Sequence, residues 1–559
     1  MPKSPKAKLS AERAHLRFQG LIVHIGEKGD NQEIAQEVLA QIAQGTLPGS
    51  WRIHRLGTAS LDYLLIPQQA RSVTPGTAWE WTMKLRRRRE VYDAEPAFVL
   101  PGLSPDKPGR MRLKKTLGPA SSSSSSDRHL PGSADYEWSL KLCHVPAAWD
   151  FSNQSGRPER GAGIIVAHPD TGYTKHPEID DAVRLQAGSG YDFYQNQKDP
   201  RDDLQGDNPG HGTSTASVIM STQGVHVEAG AAFVTGTAPR ASLVPLRVSD
   251  SVVHFSFTNV ISAIYYAVER GFHLVSMSLG GPWGSAALHR AVQYAVTEDV
   301  ILLAAAGNVW PWVVYPAKYP EVIAVTACNA NSRIWKDSAT GEAVDVTAPG
   351  ESVWRARTAP GHLYQVDRSS GTSYAVATTA GICALWLAHH GRDALIAKYG
   401  KGTLAGVLKE LLVTQGVTTP TGWNRTKWGA GIVHAEALLK ALPPDSALPA
   451  GVARIHASGI ARRKNDFDEI ADYFPELTPD RVRVALRKLF GTTERELNVL
   501  LSEIGDEFRF HLATNVELRA SIMKRTGARL FRSQPPTATP QRLLNSLAST
   551  TLKRRLASR

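Results

Sequence analysis

The chain has 559 residues, of which 42% are hydrophobic, and this predicts two to three domains with a large core. Its three cysteines, Cys143, Cys328 and Cys383, lie in apolar surroundings without metal-site spacing, which argues against a disulfide framework and favours buried thiols. The formal net charge of +12 comes partly from short basic runs, such as 84–89, which are more typical of solvated helix faces and linkers than of nucleic-acid binding.

No run reaches eighteen apolar residues, and no apolar segment follows the basic start, Met1–Lys6. The first observation predicts that no helix spans a membrane, and the second predicts that there is no secretory signal. We therefore expect a cytoplasmic protein.

The first hundred residues predict a small α+β domain, 15–101, after a flexible basic tail, 1–14. Apolar and amphipathic patterns follow one another as strand, helix, two strands, helix and strand. These elements are predicted at 21–25, 31–44, 51–56, 61–66, 74–87 and 91–100. This order is that of the split βαβ, ferredoxin-like arrangement. An unrelated small domain that binds another molecule stays open as an alternative.

A change of composition separates this domain from the next. Pro, Gly, Lys and the run Ser121–Ser126 dominate residues 102–135, which predicts a flexible linker. From 136 to 443, apolar strands alternate with helical patterns. Such alternation predicts the α/β class, with a mainly parallel sheet and helices on both of its faces.

Three residues of this α/β region are of the types that nucleophilic catalysis needs. Asp170 ends an apolar run, at the edge where open α/β sheets place their sites. His211 lies between two glycines, which let other backbone approach the imidazole. Ser373 opens an apolar helical pattern, where free N–H groups and the helix dipole favour an oxyanion. Each of them taken alone is more often a cap or a loop residue.

Together the three supply a nucleophile, a base and a carboxylate that orients the base. Another apolar strand pattern, 300–306, is followed directly by Gly307 and Asn308. The Asn308 amide can donate a hydrogen bond to a developing oxyanion, joined by the backbone N–H of Ser373.

From about Trp138 to about Leu439 the chain resembles the subtilase family of subtilisin-type serine peptidases. The blocks that carry the resemblance are Asp-Thr-Gly at 170–172, His-Gly-Thr at 211–213, Ala-Ala-Gly-Asn at 305–308 and Gly-Thr-Ser at 371–373. Tyr374 stands where the family usually has Met, and Ser214 stands where a second His is common. Neither departure removes a reacting atom.

The resemblance implies substrate-binding residues on two walls of a cleft. They are Ser278, Leu279, Gly280, Ala304, Ala305 and Ala306. The first three would pair with an extended peptide as an added strand, and the last three would form the other wall of the pocket. The short apolar loop 309–314, with its two tryptophans, favours an uncharged or apolar pocket.

The resemblance also implies that the first domain acts as a folding chaperone and intramolecular inhibitor, with a cut near or within the linker. Family members hold calcium, and Glu178 matches an acidic ligand position. The loop that supplies carbonyl ligands has no clear counterpart between Met220 and Gly236, so we expect no cofactor, with calcium as the open alternative. An acidic cluster before His211 is more typical of a solvated loop than of a cation site; it comprises Asp199, Asp202, Asp203 and Asp207.

The end of the chain, 444–559, predicts a helical domain of unassigned role. Helices are expected at 467–473, 478–490, 493–504, 515–526 and 541–556. A protein partner, oligomerisation and nucleic acid all stay open for this domain, and nucleic acid is the least favoured.

These features predict a serine endopeptidase that cleaves protein or peptide substrates through an acyl-enzyme and is self-processed or regulated by its first domain. The alternatives are a catalytically silent subtilase fold that binds a peptide or a partner, and a protein that associates with nucleic acid through its basic ends.

Overall fold

The fold is described from a computed structural model and comprises three units. The described residues are 16–25, 32–69, 73–99, 135–180, 183–222, 232–441, 466–474, 477–525 and 548–557. We term 16–99 the N-terminal unit, 135–441 the central unit and 466–557 the C-terminal unit. The predicted basic tail and all of the predicted linker except Asp135 lie outside the described residues.

The N-terminal unit has the six elements that its sequence predicts. Its strands are β1 (Arg17–Ile25), β2 (Trp51–Arg55), β3 (Asp62–Pro67) and β4 (Val91–Val99), and its helices are α1 (Gln32–Thr46) and α2 (Pro75–Arg86). The strands form an antiparallel sheet in the order β2-β3-β1-β4. Helix α2 begins where expected, because the Thr74 side chain caps it and Pro75 has no N–H to leave unpaired.

The two faces of this sheet have different partners. Leu21, Val23 and Leu65 form a core with the helices of the N-terminal unit itself. Ile22 and Leu64 point the other way and belong to the core of the central unit. Alternation along a strand puts neighbouring side chains on opposite faces, so the N-terminal sheet is buried on both sides.

The central unit is built on a nine-stranded sheet. Its strands are β5 (Ile165–Asp170), β6 (Tyr191–Asp192), β7 (Ser242–Arg247), β8 (Leu274–Met277), β9 (Ile301–Ala305), β10 (Ile323–Cys328), β11 (Val346–Pro349), β14 (Val417–Thr418) and β15 (Ile432–Val433). Their order across the sheet is β14-β15-β11-β10-β9-β8-β5-β7-β6. All pairs are parallel except β14 with β15. The predicted α/β class is confirmed.

Helices cover this sheet. They are α3 (Trp138–Leu142), α4 (Val145–Gln154), α5 (His211–Met220), α6 (Thr258–Glu269), α7 (Ala286–Thr297), α8 (Thr372–His390), α9 (Arg392–Tyr399), α10 (Leu404–Thr414), α11 (Arg425–Trp428) and α12 (Ala435–Lys440). Helix α8 is apolar on all sides and almost entirely buried, as its sequence predicts. The three cysteines are buried free thiols.

A hairpin precedes the helix that carries Ser373. It consists of two antiparallel strands, β12 (Val353–Ala359) and β13 (His362–Ser369). Strand β13 is largely exposed, so it lacks the apolar alternation that identifies a half-buried strand.

The C-terminal unit is helical in its described residues. Its helices are α13 (Asp466–Ala471), α14 (Pro479–Phe490), α15 (Glu494–Thr514), α16 (Val516–Arg525) and α17 (Thr550–Ala557). A capping box of Thr493 and Glu496 opens α15, which runs ten residues beyond its predicted end. Within the described part of the chain, no helix is long and apolar enough to cross a membrane.

Candidate active site

The three predicted catalytic residues lie together at the carboxyl edge of the central sheet. Asp170 is the last residue of β5, His211 is the first residue of α5, and Ser373 lies in the first turn of α8. Parallel strands end at one edge, and the following helices begin there, so residues distant in sequence meet.

The side chains of these residues form a continuous hydrogen-bonded line. The Nδ1 of His211 lies 2.7 Å from Asp170 Oδ1, and its Nε2 lies 3.1 Å from Ser373 Oγ. Asp170 and Ser373 are only 1% and 6% exposed. These are the contacts through which a histidine can take a proton from a serine while a carboxylate fixes its tautomer.

The environment of Asp170 keeps its carboxyl group ionised. Burial alone would raise the pKa of this group, but His211 and the N–H of Thr171 outweigh burial and hold the pKa below its ordinary value. The Thr171 N–H donates to Oδ1 at 2.7 Å. An ionised carboxylate is the form that stabilises a protonated imidazole.

Asn308 follows strand β9, and its amide orientation is fixed by the residue before the serine. Its Oδ1 accepts from the Thr372 N–H at 2.9 Å and from the Thr372 hydroxyl at 2.6 Å. The amide nitrogen must therefore point away from Thr372. With the N–H of Ser373, it can donate to an oxyanion formed at this serine.

Asp202 connects the two loops that carry Asp170 and His211. Its Oδ2 accepts from the Thr171 hydroxyl at 2.9 Å and from the Gly210 N–H at 2.8 Å. The sequence analysis grouped Asp202 with three other acidic residues of a solvated loop and did not connect it with Asp170 or His211. Its role depends on contacts eight and thirty-one residues away, which no local pattern reveals.

A second histidine lies next to the candidate site. His168 is 1% exposed, and its Nε2 lies 3.0 Å from Thr215 Oγ1 and 3.8 Å from Asp170 Oδ2. Burial lowers the pKa of His168, so the ring is neutral near pH 7. A histidine inside an otherwise apolar strand pattern was the signal that could have identified this neighbour.

Gly210 has φ +70 just before His211, and a side chain here would collide with the hairpin. A Cβ would lie 2.1 Å from the carbonyl oxygen of Thr358. Only glycine fits this conformation and this contact, so the helix that carries His211 can start close beside β12.

The residues expected to form the cleft walls lie beside the serine. Ser278 follows β8, and its hydroxyl donates to the carbonyl of Ser373 at 3.1 Å. Strand β8 pairs with β9, so Met277 lies opposite Ala304. Val314 lies close to both Gly280 and Gly307. A Cβ on Gly280 would lie 2.5 Å from one methyl group of Val314, and a Cβ on Gly307 would lie 3.1 Å from the other.

Two features of these walls were not expected. Trp310 and Trp312 are buried against helices of the C-terminal unit, so they are not available to line a substrate pocket. Both backbone polar groups of Gly280 are already paired. Its N–H donates to the Val252 carbonyl at 3.0 Å, and its carbonyl accepts from the His254 N–H at 2.9 Å.

Several of the residues considered as cation ligands, among them Glu178, Asp199 and Asp203, are engaged by the protein. The two carboxylate oxygens of Glu178 accept from the Ser221 hydroxyl and from the Val234 N–H. Each carboxylate oxygen of Glu178 therefore already has one hydrogen-bond donor from the protein. Asp199 pairs with Arg201, and Asp203 pairs with Arg247.

Elsewhere in the central unit, His144, His434 and Glu436 bring ligand atoms within 4.8 Å of one another. The Nδ1 of His434 accepts from the Ala437 N–H, which places the proton of a neutral ring on the other nitrogen. That tautomer does not favour metal binding at Nε2.

Comparison with known proteins gives the context of this geometry. Residues 161–425 match the model of the subtilase family. Thermitase from Thermoactinomyces vulgaris is 35% identical over 252 residues, which cover 45% of this chain and 81% of thermitase. An intracellular serine protease of Paenibacillus polymyxa is 35% identical over 253 residues, 44% of this chain and 71% of that protein.

Subtilisin E of Bacillus subtilis (strain 168) is 35% identical over 236 residues, which cover 41% of this chain and 57% of that protein. The family match excludes the N-terminal and C-terminal units and includes Asp170, His211, Asn308 and Ser373. The chain therefore belongs to the subtilase family of serine proteases.

Proposed function

We propose that the chain is a serine endopeptidase in which Ser373, His211 and Asp170 form the catalytic triad. The observation that carries this proposal is the hydrogen-bonded line from Asp170 through His211 to Ser373. Ser373 Oγ attacks the scissile carbonyl, and His211 Nε2 takes its proton and returns it to the leaving amine. Asp170 holds the Nδ1–H of His211 and stabilises the imidazolium.

The oxyanion of the tetrahedral intermediate lies between two donors, the Asn308 amide and the Ser373 N–H. Loss of one such donor typically costs about 3–4 kcal/mol of transition-state stabilisation. Collapse of this intermediate gives an acyl-enzyme on Ser373, and a water activated by His211 hydrolyses it. The substrates are proteins or peptides.

The N-terminal unit is the proposed intramolecular inhibitor, and its contacts with the central unit support this. Arg290 of α7 donates through Nε to both carboxylate oxygens of Asp62, at 3.1 Å each. The carboxylate of Glu95 accepts from the Ser285 hydroxyl and from the Ala286 N–H, at the start of the same helix. A carboxylate at a helix N-terminus is favoured by the free N–H groups and the dipole.

The test is mass analysis of the purified wild-type chain beside Ser373→Ala, with Ser502→Ala as the matched control. We expect a break between about Gly102 and Asp135 in the wild type and in Ser502→Ala, and none in Ser373→Ala. A break in the Ser373→Ala chain at the same place would show that another protease makes it. A wild type that stays intact and does not react with a fluorophosphonate would favour the silent peptide-binding alternative.

A further inference from the structure

Residues 252–255, which we term the strap, occupy the backbone of Gly280. The Gly280 N–H donates to the Val252 carbonyl at 3.0 Å, and the His254 N–H donates to the Gly280 carbonyl at 2.9 Å. These are the polar groups that a peptide must use to join this wall as an added strand. A peptide and the strap therefore compete for one edge.

The fit between the strap and the wall is close. A Cβ on Gly281 would lie 2.1 Å from the His254 carbonyl oxygen and 2.9 Å from the Phe257 ring. Only a glycine at this position lets the strap backbone lie directly on the wall. No space is left for a second strand between them.

The strap is anchored in an aromatic cluster. Phe255 is 6% exposed, and its ring centroid lies 5.3 Å from that of Trp283 and 6.3 Å from that of Trp310. The same continuous cluster contains Phe467 and Phe474 of the C-terminal unit. Aromatic packing of this kind adds to the stabilisation from burial.

The C-terminal unit also reaches both sides of the cleft through Tyr473. Its hydroxyl donates to the Pro282 carbonyl at 3.0 Å, two residues beyond Gly280. Its ring meets Trp312 edge-on with centroids 5.1 Å apart. The wall at 278–282 and the loop 309–314 are thus tied to one side chain.

The N-terminal unit holds the residues directly after the strap. The Oε1 of Gln19 accepts from the hydroxyls of Ser256 and Thr258, at 3.1 Å each. Both flanking units therefore fix the strap where it is, one by apolar packing and one by hydrogen bonds.

We propose that the strap is an autoinhibitory segment, which the C-terminal unit holds across Gly280 in the place of the substrate peptide. Peptides gain the Gly280 edge only when the strap leaves it. The hydrogen-bond partners of Ser373 Oγ, which are His211 Nε2 and the Ser278 carbonyl, lie outside the strap. This inference rests on the proposed peptidase function and assigns the C-terminal unit to its regulation.

The test uses the whole protein with all three units retained, whether or not the chain is cut between 102 and 135, and two probes that react with Ser373. One is a simple alkyl fluorophosphonate, and the other is a phosphonate ester carrying a tetrapeptide. Phe255→Ala removes the anchor of the strap. We expect it to raise the labelling rate by the peptidyl probe at least tenfold and to leave the rate with the alkyl probe within about twofold.

Phe272→Ala is the matched control, because Phe272 is 4% exposed and precedes the start of β8, whereas Gly280 follows the end of that strand. This control should change neither the labelling rate with the peptidyl probe nor the rate with the alkyl probe. Tyr473→Phe is a milder second variant that keeps the ring and removes one hydrogen bond, for which we expect a rise of about fivefold.

The outcomes separate the two proposals. A wild-type chain whose Ser373 does not react with the alkyl probe contradicts the peptidase function. If the alkyl probe reacts but Phe255→Ala leaves the peptidyl rate unchanged, or lowers it, the strap proposal is wrong. Amide exchange at Gly280 and His254 gives an independent measurement and should quicken in Phe255→Ala and not in Phe272→Ala.

Discussion

The two flanking units are attached to the central unit in different ways. The N-terminal unit has its own core between its sheet and its helices. The other face of its sheet adds Ile22 and Leu64 to the core of the central unit, beside polar contacts at Asp62 and Glu95. The helices of the C-terminal unit pack into one aromatic cluster with Trp310, Trp312 and Val314 of the central unit. The N-terminal unit can therefore separate and keep its own core, whereas the C-terminal unit cannot leave without opening the cluster that packs its own helices.

The largest effect should come from the shared cluster. Phe474 is fully buried, and Phe474→Ala should lower the free energy of unfolding by about 3–5 kcal/mol. Urea unfolding measures this, with Val499→Ala as control because Val499 is 59% exposed and should change stability by less than about 0.5 kcal/mol. If Phe474→Ala melted the C-terminal helices and left amide exchange in 309–314 unchanged, the two units would not share a core.

A smaller effect should come from the polar contact of the N-terminal unit. Asp62→Asn removes the closer of the two carboxylates that pair with Arg290 and leaves Asp93 at 3.4 Å, so it should weaken docking of the unit by about 2–3 kcal/mol. The measurement is retention of the N-terminal unit after a cut at a protease site introduced between 102 and 134. Glu269→Gln alters an exposed contact with Thr58 and should cost less than about 1 kcal/mol. Equal losses in the two variants would refute a specific role for the buried carboxylate.

The third and smallest effect is a pH dependence of the same docking. Burial, with a contribution from Asp93, raises the pKa of Glu95 to about 7. In the separated unit Glu95 is ionised above about pH 5, so docking takes up a proton and weakens as the pH rises. From pH 6 to pH 8 retention of the cut unit should weaken about tenfold. In Glu95→Gln, retention of the cut unit should not change over this pH range. If retention in that variant still weakened with pH as in the wild type, the proton would belong to another group.

The sequence predicted the elements that carry their own local signals. Asp170, His211 and Ser373 stand in short blocks at strand and helix ends, so their positions followed from the pattern of the parallel sheet. The helices of the C-terminal unit were found in the same way, since Thr493 and Glu496 form a capping box that is visible in sequence.

The contacts between elements were not predictable in this way. Asp202 was grouped with other acidic residues, and its bonds to Thr171 and Gly210 arise only when two loops meet. Trp310 and Trp312 suggested an apolar pocket, but apolar character does not say which unit will cover a side chain. The pairing of the strap with Gly280 depends in the same way on tertiary structure.

One ring lies where all three units meet. Phe510 of α15 has its ring centroid 4.9 Å from that of Phe98, 6.1 Å from that of Trp79 and 5.1 Å from that of Trp283. Synthesis on the ribosome runs from the N-terminus, and domains fold in that order. Phe510 therefore joins the molecule after Asp170, His211 and Ser373 have all been made. A nascent chain released before residue 466 would carry Asp170, His211 and Ser373 without the helices that pack against Trp310 and Trp312. Under the strap proposal, such a chain lacks the aromatic cluster that holds the strap.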